Sequence, residues 1–207
     1  MPAGMDRIAE FYSKKLRQHG ARPAGVSWSS LQAQELRFTQ LLRLVGSDTT
    51  GAVNDYGCGY GALVTRLRRD GYVGDYVGYD VSRDMVRVAA DLHQDLPRCR
   101  FTSNESDVPR ADYTLASGIF HIRLDFPVEA WERHVRETME HLAEISAKGF
   151  AFNLLSAAGD NAQSEGLFYA DPARWLTICL RRFPRRVALL HDYALGEFTV
   201  MVRSKPA

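Results

Sequence analysis

The run Val53-Asn54-Asp55-Tyr56-Gly57-Cys58-Gly59-Tyr60-Gly61-Ala62 constrains the chain most, because it reads as a strand that enters a glycine-rich turn and leaves it as a helix. Three glycines in five positions allow a ligand to lie against bare backbone, and the amides that open the next helix are expected to be free donors. A strand, turn and helix in this order start an α/β fold with a parallel sheet, and they place the ligand at the carboxyl end of the first strand.

The residue two before the first glycine narrows the ligand. Gly57-Cys58-Gly59-Tyr60-Gly61-Ala62 fits the loose dinucleotide fingerprint, and a nicotinamide-dependent oxidoreductase is therefore the competing reading. A carboxylate at Asp55 repels a diphosphate but pairs with an ammonium group. S-adenosylmethionine carries such a group beside an adenosine. Downstream, Asp75-Tyr76-Val77-Gly78-Tyr79-Asp80 reads as a second strand ending on an acid that suits two ribose hydroxyls.

With these residues the chain resembles the class I S-adenosylmethionine-dependent methyltransferases, whose first motif reads much like Asp55-Tyr56-Gly57-Cys58-Gly59-Tyr60-Gly61. The likeness in element order runs over most of residues 35 to 203; only Asp55 to Met85 is motif-specific. The resemblance implies a cofactor site made of Asp55, Gly57, Cys58, Gly59, Gly61, Asp80, Val81 and Met85, with Asn104 or Glu105 near the adenine and Ser117 and Gly118 beside the methyl group. It also implies a leading helical segment that closes over the cofactor, on which Arg37 holds the methionine carboxylate; the alternative for Arg37 is a solvated helix charge.

Several function classes are disfavoured. The 207 residues, 45% of them apolar, supply one ordinary domain, and 26 basic against 25 acidic residues promise no polyanionic partner, so nucleic acid is not expected. Cys58, Cys99 and Cys179 lack metal or disulfide spacing. Met1-Pro2-Ala3-Gly4-Met5-Asp6-Arg7 has no signal-peptide core, and no run is long enough for a membrane span, so a cytoplasmic protein without a membrane partner is expected. No catalytic metal is expected, and the oligomeric state is not legible.

The expected architecture is a doubly wound, Rossmann-like, seven-stranded mixed sheet with a C-terminal antiparallel β-hairpin and an N-terminal helical lid. Residues 1–45 form the lid, with helices over 5–19 and from Ser29 or Ser30 to about Val45, and residues 46–207 the cofactor-binding part. Strands are expected near Cys99–Ser103, Asp112–Ser117 and Gly149–Leu155, a crossover helix over Pro127–Ala147, and the hairpin over Val187–Tyr193 and Glu197–Arg203. His134 and His141 lie outside the crossover helix's apolar stripe and read as surface histidines. Ser156 to Ala170, with Gly159, Asp160 and Asn161, reads as a long polar connection at the ligand end.

The expected chemistry is methyl transfer to a small-molecule acceptor on oxygen or nitrogen; a non-catalytic cofactor-binding scaffold is the remaining alternative. His121, just past the fourth strand, is the candidate general base or a structural hydrogen-bonder in the turn. Tyr12, Trp28, Phe120, Asn153 and Tyr169 are candidate walls of the acceptor pocket.

Overall fold

The computed structural model describes residues 4–158 and 163–204; Met1 to Ala3 and Gly159, Asp160 and Asn161 lie outside the described residues. The chain starts with helix α1 (Met5–His19), a short 3-10 turn (Pro23–Val26) and helix α2 (Leu31–Leu42), which Ser30 caps by accepting the Ala33 amide at 3.0 Å. Strands β1 (Val53–Tyr56), β2 (Tyr76–Tyr79), β3 (Cys99–Thr102), β4 (Ala111–Ala116) and β5 (Ser146–Ser156) then alternate with helices α3 (Ala62–Arg69), α4 (Arg83–Leu92) and α5 (Val128–Glu144). A 3-10 turn, Glu105–Asp107, takes the place of a helix between β3 and β4. Strand β6 (Tyr169–Ala170), helix α6 (Pro172–Arg182) and strands β7 (Val187–Leu190) and β8 (Glu197–Arg203) complete the fold.

The strands lie in the order β3-β2-β1-β4-β5-β8-β7. The first five are parallel, while β8 runs antiparallel to both β5 and β7. This is the doubly wound mixed sheet with its terminal hairpin, and its strand order reverses between β1 and β4. One strand is a correction: β6 pairs with Leu155 and Ser156 of β5, making the sheet eight-stranded and ending the expected long connection two residues early. The crossover helix also stops sooner than expected, because Ser146 already pairs with Ala111 as strand.

Period-two alternation distributes side chains between two cores. Val53, Leu115 and Ala151 face α2 and α3, where Phe38, Leu41, Leu63, Val64 and Leu67 cover them. Ala116, Phe150 and Phe152 face the other way, onto Trp131, Val135, Met139, Leu142, Trp175 and Ile8. Leu92, Val128 and Leu180 are exposed because they sit at or near helix ends. Among the described residues, no helix is long and apolar enough to cross a membrane.

Helix α1 lies across the carboxyl ends of the strands. Its Ser13 Oγ meets Ser82 Oγ, the N-cap of α4, at 2.9 Å in a buried contact; Arg7 pairs with Asp125 in the link that leads into α5. The N-terminal segment is thereby fastened at both ends over the point where the strand order reverses.

Candidate active site

A cavity of about 290 Å³ opens at the carboxyl ends of β1, β2 and β4. Its floor is the glycine turn. Gly57 adopts φ +86°, and a Cβ there would stand 2.1 Å from Ile119, so position 57 requires glycine for both reasons. The amides of Gly57 and Cys58 both donate to Tyr79 O, at 2.7 and 2.8 Å, and that of Gly59 donates to Asp80 Oδ2 at 2.9 Å. The turn is thus strapped to the end of β2, and these three amides are engaged within the protein.

The same hydrogen bonds orient Asp80. Its other oxygen, Oδ1, accepts the Ser82 amide at 2.8 Å, and each carboxylate oxygen keeps a further lone pair. Burial pushes Asp80 up to about 6, opposed by those two amides. Asp55 is deeper: Tyr76 Oη donates to its Oδ2 at 2.6 Å, and burial pushes the carboxyl up to about 7 against that hydrogen bond. Both carboxylates line the cavity.

The lining also brings in Tyr12, Trp28, Gly57, Cys58, Gly59, Val81, Met85, Glu105, Ser117 and Gly118. Ser117 Oγ is buried with no hydrogen-bond partner. Residues of the leading segment, among them Met5, Ile8, Gln34 and Phe38, form the roof.

Other candidates named from the sequence are placed elsewhere, and these are corrections. Gly61 caps α3 in a left-handed conformation, beneath His93 and Phe101. The Asn104 side chain bonds to Ser106 and Asp107. Phe120 is a core residue with no exposed surface, and Asn153 is fully buried, where its Oδ1 accepts the Gly118 amide at 2.7 Å and holds the β4 exit turn. Tyr169 borders a separate cavity of about 250 Å³ with Arg37, Leu155, Gly196 and Glu197.

Arg37 and His121 are the two larger corrections. Arg37 is buried, not solvated: its Nε lies 2.9 Å from Glu197 and its guanidinium 4.0 Å over the Trp28 ring. His121 is buried between the same partners, 3.6 Å from Glu197 and edge-on to Trp28 at 5.5 Å. Burial and the neighbouring Arg37 push it down to about 3, so it is neutral at any working pH. Neither residue lines the larger cavity; Trp28, which they support, does.

Residues that the sequence reading passed over complete the cavity. His134, Glu137, Thr138 and His141 project into it from α5, and Tyr56, Tyr60 and Tyr79 from the strand ends and the glycine turn. Both histidines are corrections to the surface reading: they avoid the helix's core stripe because they face the cavity. The polar side chains at positions i, i+3, i+4 and i+7 were the signal available in the sequence.

One property of the lining bears on the ligand. Among the described residues it holds four carboxylates, Asp55, Asp80, Glu105 and Glu137, and neither lysine nor arginine. An adenosine ligand bearing cationic sulfonium and ammonium groups fits this balance, whereas a diphosphate would face those carboxylates with no lysine or arginine to offset them and finds three amides of the turn already engaged.

A family model described as a methyltransferase domain matches residues 53–145, which run from β1 through α5. The Mycobacterium tuberculosis protein named "Putative methyltransferase Rv1506c" is 41% identical over 163 residues, covering 78% of this chain and 98% of that one. The chain belongs to the class I S-adenosylmethionine-dependent methyltransferases. Solved methyltransferases share its fold at low identity. The magnesium protoporphyrin IX methyltransferase of Synechocystis PCC 6803, bound to S-adenosylhomocysteine, aligns with TM-score 0.68 and 14% identity over 97% of this chain and 100% of that one. The N-methyltransferase NodS of Bradyrhizobium japonicum aligns with TM-score 0.66 and 14% identity, over 94% and 97%. The methyltransferase is an enzyme whose cofactor is S-adenosylmethionine, and the oxidoreductase and scaffold alternatives fall.

Proposed function

We propose that this methyltransferase acts on a small-molecule acceptor enclosed between the glycine turn and the lid of residues 1–45. The observation that carries this reading is the roof: Met5, Ile8 and Tyr12 of α1, Val26 and Trp28 of the link, and Gln34 and Phe38 of α2 all border the cavity. An acceptor must fit beneath them. The magnesium protoporphyrin IX enzyme, named for a small molecule, shares the fold, which supports the reading by analogy alone.

Within this reading, the free lone pairs of Asp80 accept the ribose hydroxyls, Asp55 faces the methionine ammonium, and Gly57 and Gly59 admit the ligand close to the backbone. Val81 and Met85 pack on the adenine, with Glu105 at its polar edge, and Ser117 and Gly118 border the methyl group. The cofactor supplies an electrophilic methyl on a sulfonium. The protein's task is to hold a nucleophile in line with it, exclude water and receive a proton. Trp28, pinned by Arg37 and touching the turn at Gly118, closes that end: Gly118 has φ +73°, and a Cβ there would come within 2.0 Å of the Trp28 ring.

The test is incubation with methyl-labelled cofactor and a metabolite extract of the cells that encode the protein. Enzyme-dependent label is expected in a species, distinct from the cofactor, small enough to pass a 1 kDa filter. Label retained only on protein or RNA would refute the reading.

A further inference from the structure

The cavity has two unlike walls. One is backbone and paired carboxylate, formed by the glycine turn and Asp80. The other is a stripe of polar side chains on α5. His134, Glu137, Thr138 and His141 recur at one helical face, while Trp131, Val135, Met139 and Leu142 of the same helix go to the core. Glu105, assigned above to the adenine edge, marks where this wall meets the cofactor: it accepts from Tyr56 Oη, and His141 Nε2, buried and without a hydrogen-bond partner, lies 3.8 Å from its Oε1. The cofactor assignments above leave this α5 stripe unused.

We propose that the cavity face of α5 is the acceptor wall, and that the acceptor is an uncharged or cationic compound whose reacting hydroxyl gives its proton to His134. This rests on the small-molecule reading above and names the substrate class for it. Charge decides the class. An acceptor laid on this wall meets the Glu137 carboxylate beside His134 and Thr138, so a carboxylate or phosphate placed there would lose its hydration while facing a like charge. Hydroxyls or an ammonium group find hydrogen-bond acceptors and opposite charge there.

His134 is the better placed of the two histidines for the proton. Its Nδ1 lies 3.5 Å from Thr138 Oγ1, and its ring packs against Trp131 and Phe120, with centroids at 5.0 and 6.2 Å. In the tautomer whose Nδ1 carries the hydrogen toward Thr138, Nε2 keeps a lone pair. Burial lowers its proton affinity, so the ring stays neutral and able to accept. In the step itself, the hydroxyl oxygen forms its bond to the methyl carbon as the carbon–sulfur bond breaks. The electron pair of that bond stays on sulfur, and the hydroxyl proton passes to His134 Nε2, from which it leaves to solvent.

The labelled product of the extract experiment, first separated from unreacted cofactor, tests the class directly when it is passed over ion exchangers at pH 8. Label in the unretained or cation-exchange fraction is expected. Label held on the anion exchanger would overturn the acceptor class while leaving small-molecule methylation intact, and no labelled product below 1 kDa would refute both. With the labelled acceptor purified, Glu137→Lys should raise its KM at least tenfold without changing cofactor affinity; an unchanged KM removes the acceptor from α5. His134→Gln should keep cofactor affinity within about twofold by calorimetry and lower kcat by about 10². Added imidazole should restore part of the rate to His134→Gly. A full rate in His134→Gln, or no rescue of His134→Gly, would overturn the base assignment.

Discussion

Asp55 and Asp80 are buried carboxylates whose burial raises both and works against the protein's own stability at neutral pH. The Asp55 carboxyl is raised to about 7, above its unfolded value near 3.9, so the stability linked to its proton is fully present below about pH 4 and disappears as pH rises through about 7. Asp55→Asn cannot ionise and can still accept from Tyr76. It should therefore be more stable than the parent at pH 8, by about 2 kcal/mol, with a flatter pH dependence between 4 and 7. Thermal melts across that range check it, and a less stable variant at pH 8 would contradict the burial argument. The same variant should bind S-adenosylmethionine more weakly. Asp80→Ala loses the proposed ribose contacts and also orphans the Gly59 and Ser82 amides. Cofactor affinity should fall by about 2 to 3 kcal/mol in calorimetry. Parental affinity would mean that Asp80 does not touch the ribose.

At the scale of elements, the tie between α2 and β8 is the buried pair Arg37 and Glu197, with His121 from the β4 exit beside it. Burial raises Glu197, while Arg37 and Asn153 oppose the rise. Removing one partner leaves a charge stranded in the interior, so Arg37→Met should destabilise the fold by about 3 to 5 kcal/mol, and Arg37→Met combined with Glu197→Leu should recover much of that loss. Denaturant titrations of the single and double variants decide it; additive losses would show that the pair does not act as a unit. His121 adds a pH signature. Its folded value, about 3, lies below the unfolded 6.5, so the stability it contributes is complete above about pH 6.5 and is lost as pH falls toward 3. His121→Gln should remove that sensitivity and retain methyl transfer, whereas a loss of rate with an intact cofactor site would restore His121 to the chemistry.

Across the whole molecule, the polar ties of α1 to the rest of the fold are Ser13 with Ser82, Arg17 with Asp84, and Arg7 with Asp125, beside the apolar contact of Ile8 with the core. The two exposed ion pairs among them contribute little. The proposed lid role of helix α1 makes ligand the factor that holds it closed. Adding S-adenosylmethionine should slow amide exchange across α1 and residues 20–28 by about tenfold or more, leaving β4 and β5 as they were. Equal protection everywhere would indicate global stabilisation without a lid.

The sequence alone determined the fold and the cofactor. Glycines at 57, 59 and 61 between an apolar strand and an amphipathic helix, an acid at 80 after a second strand, and alternating residues in the last strand are local signals. Each states its own backbone geometry or its own charge. Tertiary structure decided what the polar residues do. Arg37 and Glu197 are 160 residues apart, and only the antiparallel placement of β8 beside β5 brings them together, turning an expected cofactor ligand into a buried ion pair. His121 went into that pair's shell and became neutral. His134 and His141 came to line the cavity with Glu105 of the 3-10 turn between β3 and β4 and with Met5, Ile8 and Tyr12 of α1, segments far from α5 in the chain. A side chain's charge state and partners depend on burial and on neighbours distant in the chain, and neither is encoded in local spacing.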